Sequence, residues 1–290
     1  MTAVAAPPTK DVGRARGQFV RHPAWLAVPL LIVFVLAFLY PLLRMGEVAL
    51  LRGDVVDNVT RLIDTPLYVR VLGRTFQIAL MVALVTVALA YPLAAFISRR
   101  SDRVQALLLV LLFVPMLTSV VVRAYSWVTI LRPNGVLDGI ANMLGLPPLG
   151  GAFFENEAGI LIGMVHLMLP FAALPLYAAF RRLDPQLPLA AATLGASPAR
   201  QWLRIVGPLT LPSALAAFVL VFITTLGFVI TPSILGGPRA LMLGVLVQRQ
   251  MALNDFPFAG VLSITLLATT LITLILLRLA VRRFRAVGLL

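Results

Sequence analysis

Cysteine is absent from this chain. Disulfides, thiolate metal sites and cysteine nucleophiles are therefore excluded. Histidine occurs only twice, as His22 and His166, too far apart in sequence to suggest a histidine-based metal site. Charge is scarce too, at 12% of residues, against roughly 25% in soluble domains. Only 11 residues are acidic, and none falls inside an apolar run long enough to cross a membrane. A secondary transporter that binds a proton or cation near the midplane places carboxylates there, so the ligands for that mechanism are missing. An intramembrane enzyme needs a nucleophile with a base, or paired carboxylates, and no such constellation is visible. There is also no glycine-rich phosphate loop of the Walker kind.

What the chain does have is apolar length. Of its 290 residues, 60% are hydrophobic. A hydrocarbon core of roughly 30 Å needs about 20 apolar residues in a helix. Six runs meet that need, at about 25–43, 75–98, 104–122, 158–180, 208–235 and 256–277. Irregular backbone cannot face lipid, so the expected fold is an all-α polytopic membrane protein with six transmembrane helices.

The first run follows Lys10, Arg14, Arg16 and Arg21, which resembles the basic start of a signal peptide. It lacks a small-residue cleavage site and continues into "FLYPLLR", so it reads as a retained span. The expected organisation is a cytoplasmic N-terminal tail at 1–22, a six-helix transmembrane domain at 23–285 and a short C-terminal tail at 286–290.

Charge fixes the expected orientation. With both termini inside, 15 of the 24 basic residues but only three of the 11 acids fall on the cytoplasmic side. That satisfies the positive-inside rule. The net charge of +13 is then a membrane-topology signal, and no nucleic-acid-binding motif accompanies it. The external connections are long, at about 44–74, 123–157 and 236–255. In the second, Pro133-Asn134-Gly135 signals a turn and "VLDGIANML" a short helix. Asn58-Val59-Thr60 matches a glycosylation acceptor, a coincidence in a protein of bacterial type.

Between the fourth and fifth runs lies "LAAATLGASPARQWLRIVGPLTLP". Asp184-Pro185 supplies an N-cap and a first-turn proline, and Gly195 suits the left-handed residue that ends a helix. Ser197-Pro198 opens a second helix, which Gly207-Pro208 is expected to end. Leu189, Ala190, Ala191, Ala192, Leu194, Ala196, Trp202, Leu203, Ile205 and Val206 make the segment too apolar for a solvated loop. It lies on the bilayer surface or packs on its own spans, or it docks a cytoplasmic partner.

The spacing of Ala190-Ala191, Gly195, Ile205 and Pro208 resembles the cytoplasmic signature of permease subunits in ATP-binding-cassette importers. That signature reads Glu-Ala-Ala, three residues, Gly, nine residues, then Ile and a nearby Pro. Leu189 stands at the glutamate position, a departure that bears on any polar contact made there. The stretches "VPMLTSVVVRAYSWVTILRPNGVLDGIANMLGL", "GMVHLMLPFAALPLYAAFRRLDPQLPLAAATLGA" and "ITPSILGGPRALMLGVLVQRQMALNDFPFAG" resemble the spermidine/putrescine branch. Permeases for iron, opines and amino-acid-like solutes look similar.

The resemblance implies a coupling helix between spans four and five, within 184–207. Its docking residues would be Leu189, Ala190, Ala191, Gly195, Ala196, Ser197, Ile205 and Pro208. It further implies a multi-pass subunit of a bacterial inner membrane. Such a subunit pairs with a second permease, rests on an ATPase dimer that binds ATP and magnesium, and receives solute from a periplasmic binding protein. The chain itself would need no cofactor.

Within the spans, His166, Phe171, Tyr177, Phe222 and Phe228 are candidates to line the passage, each also readable as packing. His166 is alternatively a neutral histidine bonded to a neighbouring helix. Arg123 is expected to reach the external interface, pair with an acid of the loop that follows, or act at a gate. Pro115, Pro170 and Pro175 allow bending.

Overall fold

The computed structural model describes residues 27–51, 54–238 and 240–286. The expected tail at 1–22 and residues 287–290 lie outside these. Among the described residues all regular structure is helical. The chain divides into two units, 1–45 and 46–290. Helix α1 (Ala27–Leu51) crosses that boundary, and its segment Val28–Ala49 is 22 residues long, enough to span.

Helix α2 (Val55–Asp64) starts at Asp54, whose carboxylate accepts from the backbone N–H groups of Val56 and Asp57. Helix α3 (Pro66–Ser98) begins nine residues before the apolar run at 75. Arg70 and Arg74 interrupt the hydrophobicity there but not the helix, because straight-chain arginine is a good helix former.

The third apolar run is not one helix. Helix α4 (Asp102–Phe113) passes into a 3₁₀ turn at Val114–Leu117, and α5 (Val120–Leu131) then leaves at 95°. Pro115 has no N–H to donate and crowds the preceding turn, while Thr118 and Ser119 take ψ of 150° and 140°. Two short helices follow, α6 (Val136–Met143) and α7 (Gly150–Phe153).

Helix α8 (Glu157–Arg182) is capped by Asn156 and runs through Pro170 and Pro175 without a break. Next come α9 (Gln186–Thr193) and α10 (Pro198–Gln201). The chain widens into a π turn at Trp202–Val206 and continues as α11 (Gly207–Leu226). Gly207-Pro208 therefore does not end a helix. Proline sits in the first turn of α11, where its missing N–H costs little, and the wide turn bridges the junction. The fifth run stops at Leu226 rather than 235, because Gly227–Val229 leaves helical geometry before α12 (Ile230–Leu235). Helices α13 (Leu243–Ala252) and α14 (Phe256–Ala286) complete the fold.

Among the described residues five helices are long and apolar enough to span, or six when the bent pair 102–143 is counted as one. In lipid there is little hydrophobic drive between helices, so association depends on close packing. The core shows this. Helices α3, α8 and α11 pack mainly on one another, through a cluster rich in small residues that includes Ala79, Ala83, Ala90, Ala94, Ala172, Ala173 and Ala217. Helix α12 reaches α8 over Gly163, where an added Cβ would lie 2.5 Å from Leu235 Cδ1 and 3.0 Å from Thr231 Cγ2. Three hydroxyls inside spans are satisfied within their own helix: Thr75, Thr225 and Thr269 each donate to the carbonyl four residues back. Thr75 also accepts the Leu243 N–H at 2.8 Å, which ties the start of α13 to α3.

Candidate functional site

The loop between α8 and α11 is a helix, a turn and a second helix. Asp184 Oδ1 accepts from the Gln186 N–H at 2.9 Å, so the carboxylate caps α9. Gly195 has φ +81°. Its N–H donates to Ala192 O, and the Ala196 N–H donates to Ala191 O, both at 2.9 Å. This pair of bonds is a Schellman ending. Ser197 Oγ then accepts from the Arg200 N–H at 3.4 Å, and Gln201 Nε2 donates to Ala196 O at 2.9 Å. Two helices are thus held around one glycine by side-chain and main-chain bonds.

Its outer surface is apolar and open. Leu189 is 65% exposed, Leu194 87% and Leu203 73%. Ala190, Gly195, Ser197 and Pro208 are also exposed, and Ala191, Ala196 and Ile205 half-buried. Arg99, Arg100, Arg103, Arg181, Arg182, Arg200 and Arg204 occupy the loop and the helix ends beside it. The acids at this end are Asp102, 3.8 Å from Arg181, and Asp184. At the opposite helix ends charges are matched: Arg61 meets Asp255 at 2.8 Å, and Arg74 meets Glu157 at 2.8 Å. The hydrogen bond that Arg61 donates to the Asp255 carboxylate holds the guanidinium above its ordinary pKa.

Trp202, grouped by composition with the exposed apolar residues, is turned inward and half-buried. Its ring stacks on Phe180 of α8, with centroids 5.9 Å apart, and meets Tyr91 of α3 edge-on at 5.9 Å. Tyr91 and Phe180 touch at 5.2 Å. The Arg99 guanidinium lies 5.4 Å from the indole centroid. Sequence reasoning missed this assembly, although an aromatic near the end of α3, near the end of α8 and just before α11 was a signal. It also missed Gln105, a polar residue inside an apolar run. Gln105 accepts from Tyr177 Oη at 2.6 Å and donates to Arg100 O at 2.5 Å, linking α4, α3 and α8.

The five span residues do not form one site. His166 and Tyr177 are 11 positions apart on α8, about 16 Å at 1.5 Å per residue. Trp127 Nε1 donates to His166 Nδ1 at 3.2 Å, so Nδ1 carries no proton and the imidazole links α5 to α8. Phe222 is buried beside Phe76 and Phe218. Phe228 packs on the central cluster, and Phe171 is exposed.

Arg123 has neither reached open solvent nor found an acid. It is 9% exposed, and Nη2 donates to Thr118 O at 2.9 Å while Nε has no partner. The guanidinium thus fills a carbonyl freed by the break between α4 and α5. Of the acids of the following loop, Glu157 pairs with Arg74 and Asp138 is engaged by main chain. Asp138, buried, accepts from the N–H groups of Asn134 and Leu149 at 2.7 Å and of Gly150 at 2.6 Å.

Comparison with known proteins agrees with this architecture. Residues 89–286 match the family described as binding-protein-dependent transport system inner membrane component. The spermidine/putrescine transport system permease protein PotB of Escherichia coli (strain K12) is 35% identical over 245 residues, covering 81% of this chain and 88% of that protein. The inner membrane ABC transporter permease protein YdcU of the same organism is 30% identical over 79% of this chain and 74% of its own length. A chain in the crystal structure of a bacterial alginate ABC transporter, in complex with alginate pentasaccharide-bound periplasmic protein, superposes with a TM-score of 0.72. It covers 90% of this chain and 95% of its own, at 20% identity, a likeness of fold. The multi-pass helical core, the loop between α8 and α11 and these matches agree: the chain belongs to the binding-protein-dependent transport system inner membrane components, as a permease subunit of an ATP-binding-cassette importer.

Proposed function

We propose that this permease carries polyamines of the spermidine/putrescine class across the inner membrane, with a second permease completing the path. An ATPase dimer docks on the loop at 184–207. ATP and magnesium belong to that dimer, and a periplasmic binding protein delivers solute at the opposite end. Both termini and the loop are cytoplasmic.

The observation that carries the docking assignment is an ordered, apolar loop left uncovered at the arginine-rich end of the spans. A solvated loop gains nothing from exposing Leu189, Leu194 and Leu203, and patches of this kind mark interaction sites. The polyamine assignment rests on the PotB relatives. The lack of membrane-embedded carboxylates among the candidate path residues fits a passage that selects weakly, leaving specificity to the external receptor.

The test is reconstitution. The chain alone should show neither ATP hydrolysis nor uptake. The full complex in proteoliposomes should hydrolyse ATP faster when spermidine- or putrescine-loaded binding protein is added, and should accumulate labelled polyamine. Ion-gradient-driven uptake by the chain alone would instead establish a secondary transporter. Stimulation by ferric iron or an opine, but not by polyamines, would keep the permease and replace its solute.

A further inference from the structure

The docking loop must do more than bind, because movement at the ATPase has to reach α3, α8 and α11. Helix α9 follows α8 through the three residues Leu183–Pro185, a connection of a length that bends readily. The other half of the loop is built differently. Gln201 ties α10 back to the Schellman turn, and the π turn continues into α11 without a break. A single-turn π bulge is a recurrent feature of functional sites.

At this turn five polar and aromatic contacts converge. Thr210 Oγ1 donates to Val206 O at 2.8 Å, which uses its only proton. Tyr91 Oη, 2.7 Å from Thr210 Oγ1, must then be the donor. A bonded series therefore runs from α3 through Tyr91 and Thr210 to the main chain of the π turn. Trp202 opens the same turn, and its ring lies against both Tyr91 and Phe180. The Gly207 N–H closes the wide turn onto Trp202 O.

We propose that Trp202, with Tyr91 and Thr210, is the positioning residue that locks the docking loop to the inner ends of α3, α8 and α11, so that ATPase movement shifts all three spans together. This rests on the docking reading above but adds a separate requirement. Trp202 does not form the docking surface; it transmits displacement from it. A flat indole stacked on Phe180 and edge-on to Tyr91, with those two rings also in contact, resists both shear and separation. An alanine there leaves the outer residues 189–197 in place and lets the loop swing about α11.

The test uses the complete complex in proteoliposomes, with wild type, Trp202→Ala, Trp202→Phe, Tyr91→Phe and Gly195→Val compared at equal abundance. Three quantities are read: ATPase subunit co-purified, ATP hydrolysed, and solute taken up per ATP. Trp202→Ala should keep its ATPase subunits yet lose about tenfold in uptake per ATP, within the usual range of couplings between sites. Trp202→Phe, which keeps a ring between Tyr91 and Phe180, should restore most of that loss. Tyr91→Phe removes only the hydroxyl and should fall between wild type and Trp202→Ala, giving a readout even if the alanine variant assembles poorly. Wild-type uptake per ATP in Trp202→Ala overturns the proposal, as does loss of ATPase subunits from it as severe as in Gly195→Val. If Gly195→Val itself keeps its ATPase subunits, the docking reading falls and this proposal with it. If only Gly195→Val is impaired, the docking reading stands and the aromatic lock is refuted.

Discussion

Replacing Gly195 isolates one physical quantity, the cost of a left-handed backbone. Its φ is +81°, and a Cβ built there meets nothing within 4 Å. Steric collision with neighbours is therefore absent, and only the dihedral preference of the new residue remains. An L-residue in that region costs roughly 1–2 kcal/mol. Asparagine tolerates it better than most, and β-branched residues worst. The expected order of function is then Gly, Asn, Ala, Val. A size-based account puts Ala ahead of the larger Asn, so the two explanations separate at one substitution.

The consequence falls on docking rather than on folding. The turn is exposed, and neither main-chain bond that defines it reaches a span. If valine forces the turn open, α9 swings away from α10 and the apolar face loses its shape. A penalty of about 2 kcal/mol corresponds to roughly thirtyfold in affinity. The assay is ATPase co-purification together with solute uptake, both normalised to the amount of permease in the membrane. Wild-type uptake by Gly195→Val would refute the docking role. Asn falling below Ala would refute the dihedral argument while leaving docking intact.

Three further outcomes are expected. Asp138→Ala strips acceptors from the N–H groups of Asn134, Leu149 and Gly150, so amide exchange across 132–150 should accelerate; Asp138→Asn should be intermediate, since its amide nitrogen cannot accept. Gly163→Leu should lower membrane abundance or melting temperature through overpacking of about 1–3 kcal/mol against α12, whereas Gly163→Ala should be mild because the nearest atom is the movable end of Leu235. Reporter fusions after Arg103 and Arg182 should report cytoplasm and those near Asp57, Gly139 and Met251 the outside; an external signal at Arg182 would put the docking loop on the wrong side of the membrane.

Hydrophobic length located the spans well, because the bilayer imposes one length on every crossing helix. It did not locate their breaks. The run at 104–122 carries no charge, yet the chain turns by 95° after Leu117. Likewise the run at 208–235 hides the departure from helix at Gly227. Hydropathy measures transfer to lipid, whereas a break depends on where backbone bonds can be remade. Pro115 was visible, but so were Pro170 and Pro175, and α8 runs straight through both. What separates the cases is a replacement donor. Arg123 supplies one to Thr118 O at the first break, and that partnership requires the folded chain.

The loop shows the same division between local and remote causes. Asp184, Gly195 and Ser197 act through bonds to residues two to four positions away, so their roles in capping and turning were readable from the sequence. Trp202 acts through Tyr91, 111 positions earlier, and its composition-based place among exposed apolar residues was wrong for that reason. Gly207-Pro208 failed as a stop signal because a π turn accommodates the proline without breaking the axis. A continuous axis runs from the loop into α11, and the proposed coupling requires it: a loop that were only tethered beside the span could not act on it as a lever.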